Sequence, residues 1–150
     1  MTRWFSRLLL LATGVYCSFV PQANSSGIDS SIEVQIEGLQ SAEGQICYSL
    51  FDRGKGFPDS EDDKLRAECF SIEEQLPVLT VDNLHGGTYA MALFHDVNGD
   101  GKLNSNFLGI PQEGFGFSQN PEVTTSPPSF GESAVLVVGE TELQVQLRYF

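Results

Sequence analysis

The sequence predicts an all-β protein, a seven-stranded antiparallel β-sandwich with one long loop. From residue 31 onward, apolar and polar residues alternate with a period of two, which is typical of half-buried strands. No amphipathic run of ten residues or more has the helical period instead. Turn-forming residues separate the short apolar segments, and this spacing is typical of sandwiches.

The first three predicted strands lie in the first half of the chain. Residues 32–36 alternate between apolar and polar side chains and predict the first strand. The second strand is predicted at 44–51 and the third at 67–72, because both segments show the same alternation. The charged segment 52–66 between them contains glycine and proline, and it predicts a loop.

Two cysteines, Cys47 and Cys69, fall on the second and third predicted strands. Each lies at an outward position, between residues that the alternation turns towards the core. If the two strands pair, both sulfur atoms lie on the same outer face, where a cross-strand disulfide is geometrically reasonable. Two thiols alone do not make a zinc site, and their spacing is not that of a C-x-x-C redox motif. The third cysteine, Cys17, lies in the apolar N-terminal run that is predicted below to be removed. We therefore predict a disulfide between Cys47 and Cys69, as is usual when an exported protein keeps two cysteines.

A fourth strand is predicted at 76–81, followed by a turn and a fifth strand that runs to His95. Tyr89 lies just inside the fifth strand. A tyrosine at this position is typical of a tyrosine corner, in which the hydroxyl group bonds to nearby backbone. We therefore expect the Tyr89 side chain to fix the turn before its own strand.

The last two predicted strands, 133–138 and 141–149, flank a Gly-Glu pair at 139–140, which predicts a two-residue hairpin. The preceding segment, 102–130, does not follow the strand pattern and is rich in Gly, Pro and Phe. A loop of this length in a compact domain needs a reason. We expect it to fold back on itself, as an Ω-loop does, with space for a short strand or helical turn.

The N-terminal residues are predicted to be a secretory signal peptide, with two arginines, an apolar run at 8–20 and Ala23 as a candidate last residue before cleavage. The apolar run is shorter than the roughly 20 residues of a membrane span, although a retained anchor is the alternative. We therefore predict a signal peptide at 1–23, a short flexible leader at 24–30 and one sandwich domain at 31–150.

Charge also restricts the function. All 20 acidic residues and six of the eight basic residues follow the predicted cleavage site, so the mature charge is 6 − 20 = −14. Such a surface repels nucleic acid and anionic lipid and attracts cations. We therefore expect an exported protein, periplasmic or extracellular, that binds no nucleic acid and does not insert into a membrane after signal cleavage.

The segment 95–106 carries the strongest functional signal, with the sequence HDVNGDGKLNSN. Asp96, Asn98 and Asp100 recur at alternate positions and Gly101 follows, which matches the first half of a calcium-loop pattern. Oxygen side chains at alternate positions of a tight turn converge on one point, and calcium takes six to eight oxygen ligands. The sequence therefore predicts a calcium-ordered loop at this position.

The remaining calcium ligands are less well defined. Lys102 would contribute its backbone carbonyl and Asn104 a side-chain oxygen, often through water. The twelfth position, which is glutamate in an EF-hand, is Phe107, so Asn106 or Glu113 would have to complete the shell. An Asn/Asp/Gly-rich turn that bonds its own backbone without any metal explains the same residues, and both interpretations remain open.

His95 opens this loop, and Phe107, Phe115 and Phe117 follow it. We expect His95 to orient the loop by hydrogen bonding, and it is also a candidate for the ligand-binding surface of the loop. The three aromatic rings are candidates for the surface of a ligand-binding groove. More often, such residues form a small core of the loop itself, and the sequence leaves both interpretations open.

The run HDVNGDGKLNSNFLGIPQEGFGFS at 95–118 strongly resembles the signature of an exported bacterial family known as domain of unknown function 2141. The segments 84–89 and 128–134 also resemble that family, and the similarity extends from about residue 32 to the end. The resemblance implies an immunoglobulin-like or prealbumin-like sandwich in an extracytoplasmic protein. It implies no established activity.

We predict no catalytic residues, because the chain has no G-x-S-x-G, no H-E-x-x-H, no phosphate loop and no dinucleotide fingerprint. We expect a non-catalytic binding or structural module with a calcium-ordered loop at 96–104 and an extracytoplasmic protein or glycan as its partner. The alternative is a metal-dependent hydrolase in which Asp96, Asp100 and Glu113 hold a metal-activated water. A third interpretation is a loop held by packing alone.

Overall fold

The structure, a computed structural model, describes residues 30–73 and 76–150 of the chain. Within these ranges the chain forms eight β-strands and one short helix. The strands and the helix, in chain order, are β1 Ser30–Glu37, β2 Gln45–Phe51, β3 Arg66–Ser71, β4 Val78–Leu84, β5 Gly87–Asp96, β6 Phe115–Phe117, α1 Phe130–Ser133, β7 Val135–Val137 and β8 Glu140–Gln146.

The predicted signal peptide at 1–23 lies outside the described residues, as does the predicted leader apart from Ser30, which is the first residue of β1. None of the helices in the described ranges is long and apolar enough to cross a membrane.

The strands form two sheets, and the all-β sandwich that the sequence predicts is confirmed. One sheet has three strands in the order β4-β1-β8. The other has five, in the order β3-β2-β5-β6, with β7 paired to the beginning of β5. The structure has eight strands rather than the predicted seven. The additional strand is β6, which pairs with β5 and lies inside the segment 102–130 that was expected to be a loop.

The core lies between the two sheets because each strand turns its alternate apolar residues inward. Ile32 and Val34 of β1 face Ile46 and Leu50 of β2, and all four are buried in one cluster. Burying a side chain of this size contributes roughly 1.5–3 kcal/mol relative to leaving it exposed. The residues between these positions therefore face outward, and on the five-stranded sheet they form the floor of the site described below.

The predicted final hairpin is wrong, and the sandwich is not wholly antiparallel. β7 pairs antiparallel with β5, where Tyr89 lies opposite Val135, whereas β8 pairs parallel with β1, where Ile32 lies opposite Thr141. Gly139 between β7 and β8 has a φ of 64°, a left-handed conformation that glycine adopts without strain. The chain therefore leaves one sheet at Gly139 and enters the other, instead of folding back on the same sheet.

Two local predictions are confirmed. Cys47 and Cys69 lie directly opposite each other on β2 and β3 and form a disulfide. The Tyr89 hydroxyl donates a hydrogen bond to the His85 carbonyl at 2.9 Å, which is the predicted tyrosine corner. The disulfide ties the outermost strand of the five-stranded sheet to its neighbour, and the tyrosine fixes the turn that starts β5.

The C-terminal residues cross from one sheet to the other. The Leu147 N–H group donates to the Glu37 carbonyl at 2.8 Å, still beside β1. Arg148 then forms a bridge with Phe115 of β6, on the five-stranded sheet. This crossing closes one edge of the sandwich, and it brings Tyr149 to the end of β5, where the candidate site begins.

Candidate functional site

Asp96 ends β5 and organises the turn that follows it. The side chain is 0% exposed. Oδ1 accepts from the Gly99 and Asp100 N–H groups at 2.8 and 3.2 Å, and Oδ2 accepts from the Gly101 N–H group and the Gln45 side chain, both at 2.7 Å. Burial raises the pKa of Asp96, but these hydrogen bonds outweigh it and hold the pKa below its ordinary value. The ionised carboxylate therefore anchors the turn through its backbone.

Glu113 folds back onto the same loop, as one of the two ligand completions predicts. It is 7% exposed. Oε1 accepts from the Val97 N–H group at 3.0 Å, and Oε2 accepts from the Asn104 N–H group at 2.8 Å. Two buried carboxylates, from Asp96 and Glu113, thus hold the start and the middle of the loop from the inside.

A second polar cluster lies on the solvent side of the loop. Asn98 Nδ2 donates to Asp100 Oδ2 at 3.2 Å and to Asn104 Oδ1 at 3.1 Å, and Asn104 Nδ2 donates to Asp100 Oδ2 at 3.2 Å. Asp100 Oδ1 accepts from the Lys102 N–H group at 2.9 Å. The predicted cation ligands therefore separate into two buried carboxylates and a cluster at the surface. In the described ranges, no three or more His, Cys, Asp or Glu side chains are grouped as a metal ion requires.

Residues 105–111 form a compact turn that we call the loop tip. The Asn106 side chain accepts from the Leu108 and Ile110 N–H groups at 2.9 and 3.1 Å, and the Asn106 N–H group donates to the Ile110 carbonyl at 2.9 Å. Phe107 is nevertheless 95% exposed and Leu108 is 68% exposed. The loop tip is therefore held by hydrogen bonds and presents its apolar side chains to solvent.

His95 lies on the core side of β5 and is 1% exposed, so it is not part of the loop surface. Its Nε2 donates to the Glu43 carbonyl at 2.7 Å, which in the neutral ring leaves Nδ1 to accept from the Tyr149 hydroxyl at 2.9 Å. Tyr149 also accepts from the Gln40 N–H group at 3.3 Å. Burial raises the pKa of Tyr149, against a smaller opposite effect of that bond. His95 therefore orients the segments around the loop by hydrogen bonding.

A groove of about 1020 Å³ lies on the outer face of the five-stranded sheet. Its floor is a row of short side chains on adjacent strands, because Ala67 lies opposite Ser49 and Ser49 lies opposite Ala92. The disulfide between Cys47 and Cys69 lies in the next row along the same strands. The groove exists because these side chains do not fill the space between the sheet and the surrounding loops.

An aromatic cluster closes one end of the groove. The Phe57 ring packs against Phe51 at 5.3 Å, against Phe130 at 6.0 Å and against Phe117 at 6.1 Å between centroids. Phe117 lies opposite Ala92, so it stands at the end of the floor row. Edge-on and tilted contacts of this kind stabilise aromatic clusters, and the cluster therefore forms a fixed end wall.

The remaining walls come from β6, the C-terminal residue and the loop tip. Phe115 packs against Phe150 with their centroids 5.5 Å apart. Leu108 and Ile110 line the groove from the loop tip, and Lys102 lies at its rim. Phe115 and Phe117 are thus part of a strand that lines the groove, whereas the Phe107 side chain is exposed to solvent.

Residues 34–146 match a bacterial family described as "Uncharacterized protein conserved in bacteria (DUF2141)". The chain belongs to this family. The part that matches DUF2141 runs from within β1 to the end of β8, so it includes the disulfide, the loop and most of the groove. No curated protein and no solved structure matches the chain.

Sequence reasoning missed the floor of the groove. Ser49, Ala67 and Ala92 are ordinary small residues in the printed sequence, and nothing in their spacing marks them. Their shared feature is that they occupy one row of three paired strands, which only the strand register reveals. The available signal was weak: each of these small residues lies two positions from a Cys or Phe residue that is also outward on the same strand.

Proposed function

We propose that this DUF2141 protein is a non-catalytic binding module of an extracytoplasmic compartment, and that the groove and the loop tip form its binding surface. The observation that supports the proposal is a concave apolar groove beside a loop that two buried carboxylates hold in place. Small-molecule sites are typically preformed, mostly apolar concavities with a few polar groups. A surface that is ordered before binding also loses less conformational freedom when a ligand arrives.

The dye Nile red, which is neutral and fluoresces more strongly in apolar surroundings, tests this proposal. We expect its emission to rise on titration with the wild-type protein. Ala92→Trp places a large ring on the groove floor and should abolish the rise. The matched control is Thr80→Trp, an exposed position on β4 opposite Glu33, on the outer face of the other sheet. Equal emission from all three proteins, or no emission from any of them, would overturn the proposal.

We also propose that a calcium ion orders the surface cluster of Asp100, Asn98 and Asn104. Asp96 and Glu113 are buried, whereas Asp100 and Asn98 are exposed and Asn104 is partly exposed, so the oxygens of this cluster are the ones accessible to a cation. A site with one formal charge among these side chains should bind weakly, in the range of about 0.1–1 mM. At about 5 mM calcium the unfolding free energy should then rise by about 1–2 kcal/mol.

Calorimetric titration of calcium into the chelator-stripped protein, with a thermal melt beside it, tests the cation. We expect saturable binding and a raised melting temperature, both lost in Asp100→Ala. Magnesium serves as the control ion, because it demands a more rigid octahedral shell. Absence of heat and of a melting shift up to several millimolar calcium would leave a hydrogen-bonded turn without metal.

A metal-dependent hydrolase remains the alternative function. It requires Asp96, Asp100 and Glu113 to surround a metal with an open position for water. Two of these carboxylates instead accept hydrogen bonds from the backbone of the loop. This arrangement favours a structural role for them, so we place the binding module first.

A further inference from the structure

One basic side chain differs from the others in the described ranges. Arg3 and Arg7 lie outside those ranges, which leaves 8 − 2 = 6 basic residues. Five of them hold a partner: Arg53 with Asp52, Lys55 with Asp63, Lys64 with Glu61, Arg66 with the Asp82 carbonyl and Arg148 with the Pro121 carbonyl. The side chain of Lys102 makes no ion pair and no hydrogen bond with any described residue.

The position of Lys102 makes this difference informative. It lies at the rim of the groove, beside the loop tip, in a chain with 20 acidic residues. Across the groove, Lys64 also lines the rim but is paired with Glu61 at 2.7 Å. The groove therefore has one rim where the positive charge of Lys102 lacks an acidic partner. On the other side, where Lys64 lies, three acidic residues line the groove and outnumber the single lysine: Asp59, Glu61 and Glu68. An anionic group is therefore favoured only at the Lys102 rim.

We infer that the groove binds a small amphiphile with an apolar body and a single anionic head group, and that the head group lies against Lys102. The apolar body lies on the floor row of Ala67, Ser49 and Ala92, between the phenylalanine rings that close the groove. This inference rests on the proposed binding function of the groove and adds the chemistry of the ligand.

The shape and lining of the groove favour a small molecule over a polymer. Its volume of about 1020 Å³ is at the upper end of the range of ligand pockets, which runs from about 300 to 1,000 Å³. The phenylalanine cluster behind Phe117 closes one end, so an extended chain does not pass through there. The floor row offers one hydroxyl group, that of Ser49, and the hydroxyl groups of Thr124, Thr125 and Ser126, which also line the groove, belong to one surrounding loop. A sugar presents hydroxyl groups all round its ring, and those over the floor would lack partners once they leave water.

Decanoate and its neutral analogue decan-1-ol are the probes that test the head group. Each is titrated as a competitor of bound Nile red, in calcium-free buffer of low ionic strength. We expect both to displace the dye, and decanoate to do so at a roughly two- to fivefold lower concentration, the range of an exposed ion pair. The difference should shrink as salt is added, because salt screens surface charges.

Variants at Lys102 separate the charge from the groove. Lys102→Gln should remove the preference for decanoate and leave the affinity for decan-1-ol unchanged, whereas Lys102→Arg should keep the preference. Ala92→Trp should abolish the binding of both probes. Because Lys102 is exposed and its side chain has no protein partner, Lys102→Gln and Lys102→Arg should leave the melting temperature unchanged.

The outcomes distinguish the two proposals. Equal displacement by decanoate and decan-1-ol, or a preference that persists in Lys102→Gln, overturns the anionic head group and leaves the binding groove intact. Dye binding that neither probe displaces overturns the amphiphile and also leaves the groove intact. Absence of dye binding in the wild-type protein overturns both proposals.

Discussion

The two outer faces of this sandwich are both formed by the alternate, outward-facing residues of their strands, but their surfaces are very different. The three-stranded sheet presents a polar face with Glu33, Gln35, Glu142 and Gln144, which lie side by side on β1 and β8. The five-stranded sheet presents alanines, a disulfide and phenylalanines, and long loops surround them. The inner faces are alike, because both contribute apolar side chains to one core.

This difference indicates which outer face has a composition that folding and solubility do not require. A polar outer face is sufficient for solubility, and it accounts for the alternation on β1 and β8. An apolar outer face is covered only in part by its own loops, and it leaves a groove with an exposed loop tip beside it. Exposed apolar surface of this kind is typical of interaction sites. The five-stranded face is therefore where binding should be sought.

Removing the disulfide should have the largest effect on the contrast between the faces. Cys47→Ala together with Cys69→Ala removes the cross-link of a loop with a sequence separation of 22. Closing a loop of this size contributes about 3 kcal/mol on the chain-entropy estimate. We expect urea unfolding to show this loss, and a reducing agent to produce a similar loss in the wild-type protein. A loss below about 1 kcal/mol would show that β3 holds its place by pairing alone.

Asp96→Asn should have the next largest effect. The asparagine side chain can accept hydrogen bonds only at its oxygen. The donors that bond to the other Asp96 oxygen in the wild-type protein would therefore face the asparagine NH₂ group, which is itself a donor. We expect a loss of about 2 kcal/mol in unfolding free energy. Glu142→Gln on the polar face is the matched control and should change it by less than about 0.5 kcal/mol. Equal losses in the two variants would remove the distinction between the faces.

The same variant gives a pH dependence whose sign follows from the lowered pKa of Asp96. A carboxylate with a folded-state pKa below its unfolded value of about 3.9 contributes stability above that value, and the contribution is lost as the pH falls through the folded-state pKa. The wild-type advantage over Asp96→Asn should therefore be constant near neutral pH and decrease below about pH 4. An advantage that grows in acid would contradict the assigned hydrogen bonds.

The smallest effect is expected on the polar face. Glu33 and Glu142 lie opposite each other on the parallel strands β1 and β8. Like charges in this position destabilise a sheet by tenths of a kcal/mol, so Glu142→Lys should stabilise the protein by about 0.5 kcal/mol. Gln144→Lys, opposite the uncharged Gln35, should give a smaller gain. Thermal melts at low and high salt measure both.

The elements that local patterns specify were predictable, and the pairing between distant strands was not. The period of two located the strands and turned Cys47 and Cys69 to one face, and a tyrosine just inside a strand indicated the corner at Tyr89. The Gly-Glu pair at 139–140 has the composition of a hairpin, but a local signal does not specify which sheet the next strand joins. Because that choice depends on contacts made by β1, the parallel pair was missed.

The candidate site was predictable to the same extent. The alternating residues at 96–100 indicated that their side-chain oxygens converge on one turn. Glu113 folds back onto this loop, as one of the two predicted alternatives states. Backbone N–H groups and a cation compete for the same lone pairs, and the residue types are the same in both cases. The sequence alone therefore did not indicate that Asp96 and Glu113 accept from the backbone. The groove floor depends on the register of three strands, which residue types do not encode.

The pairing of β1 with β8 has a consequence for the order of folding. The Gly139 N–H group donates to the Ser30 hydroxyl oxygen across 109 positions of sequence. On a ribosome, β1 emerges before all the other described strands and β8 after them, so one edge of β1 stays open until β8 has been made. Contacts of such long sequence separation slow folding, and an open strand edge pairs readily with other chains. The nascent protein should therefore depend on holding chaperones until β8 is made.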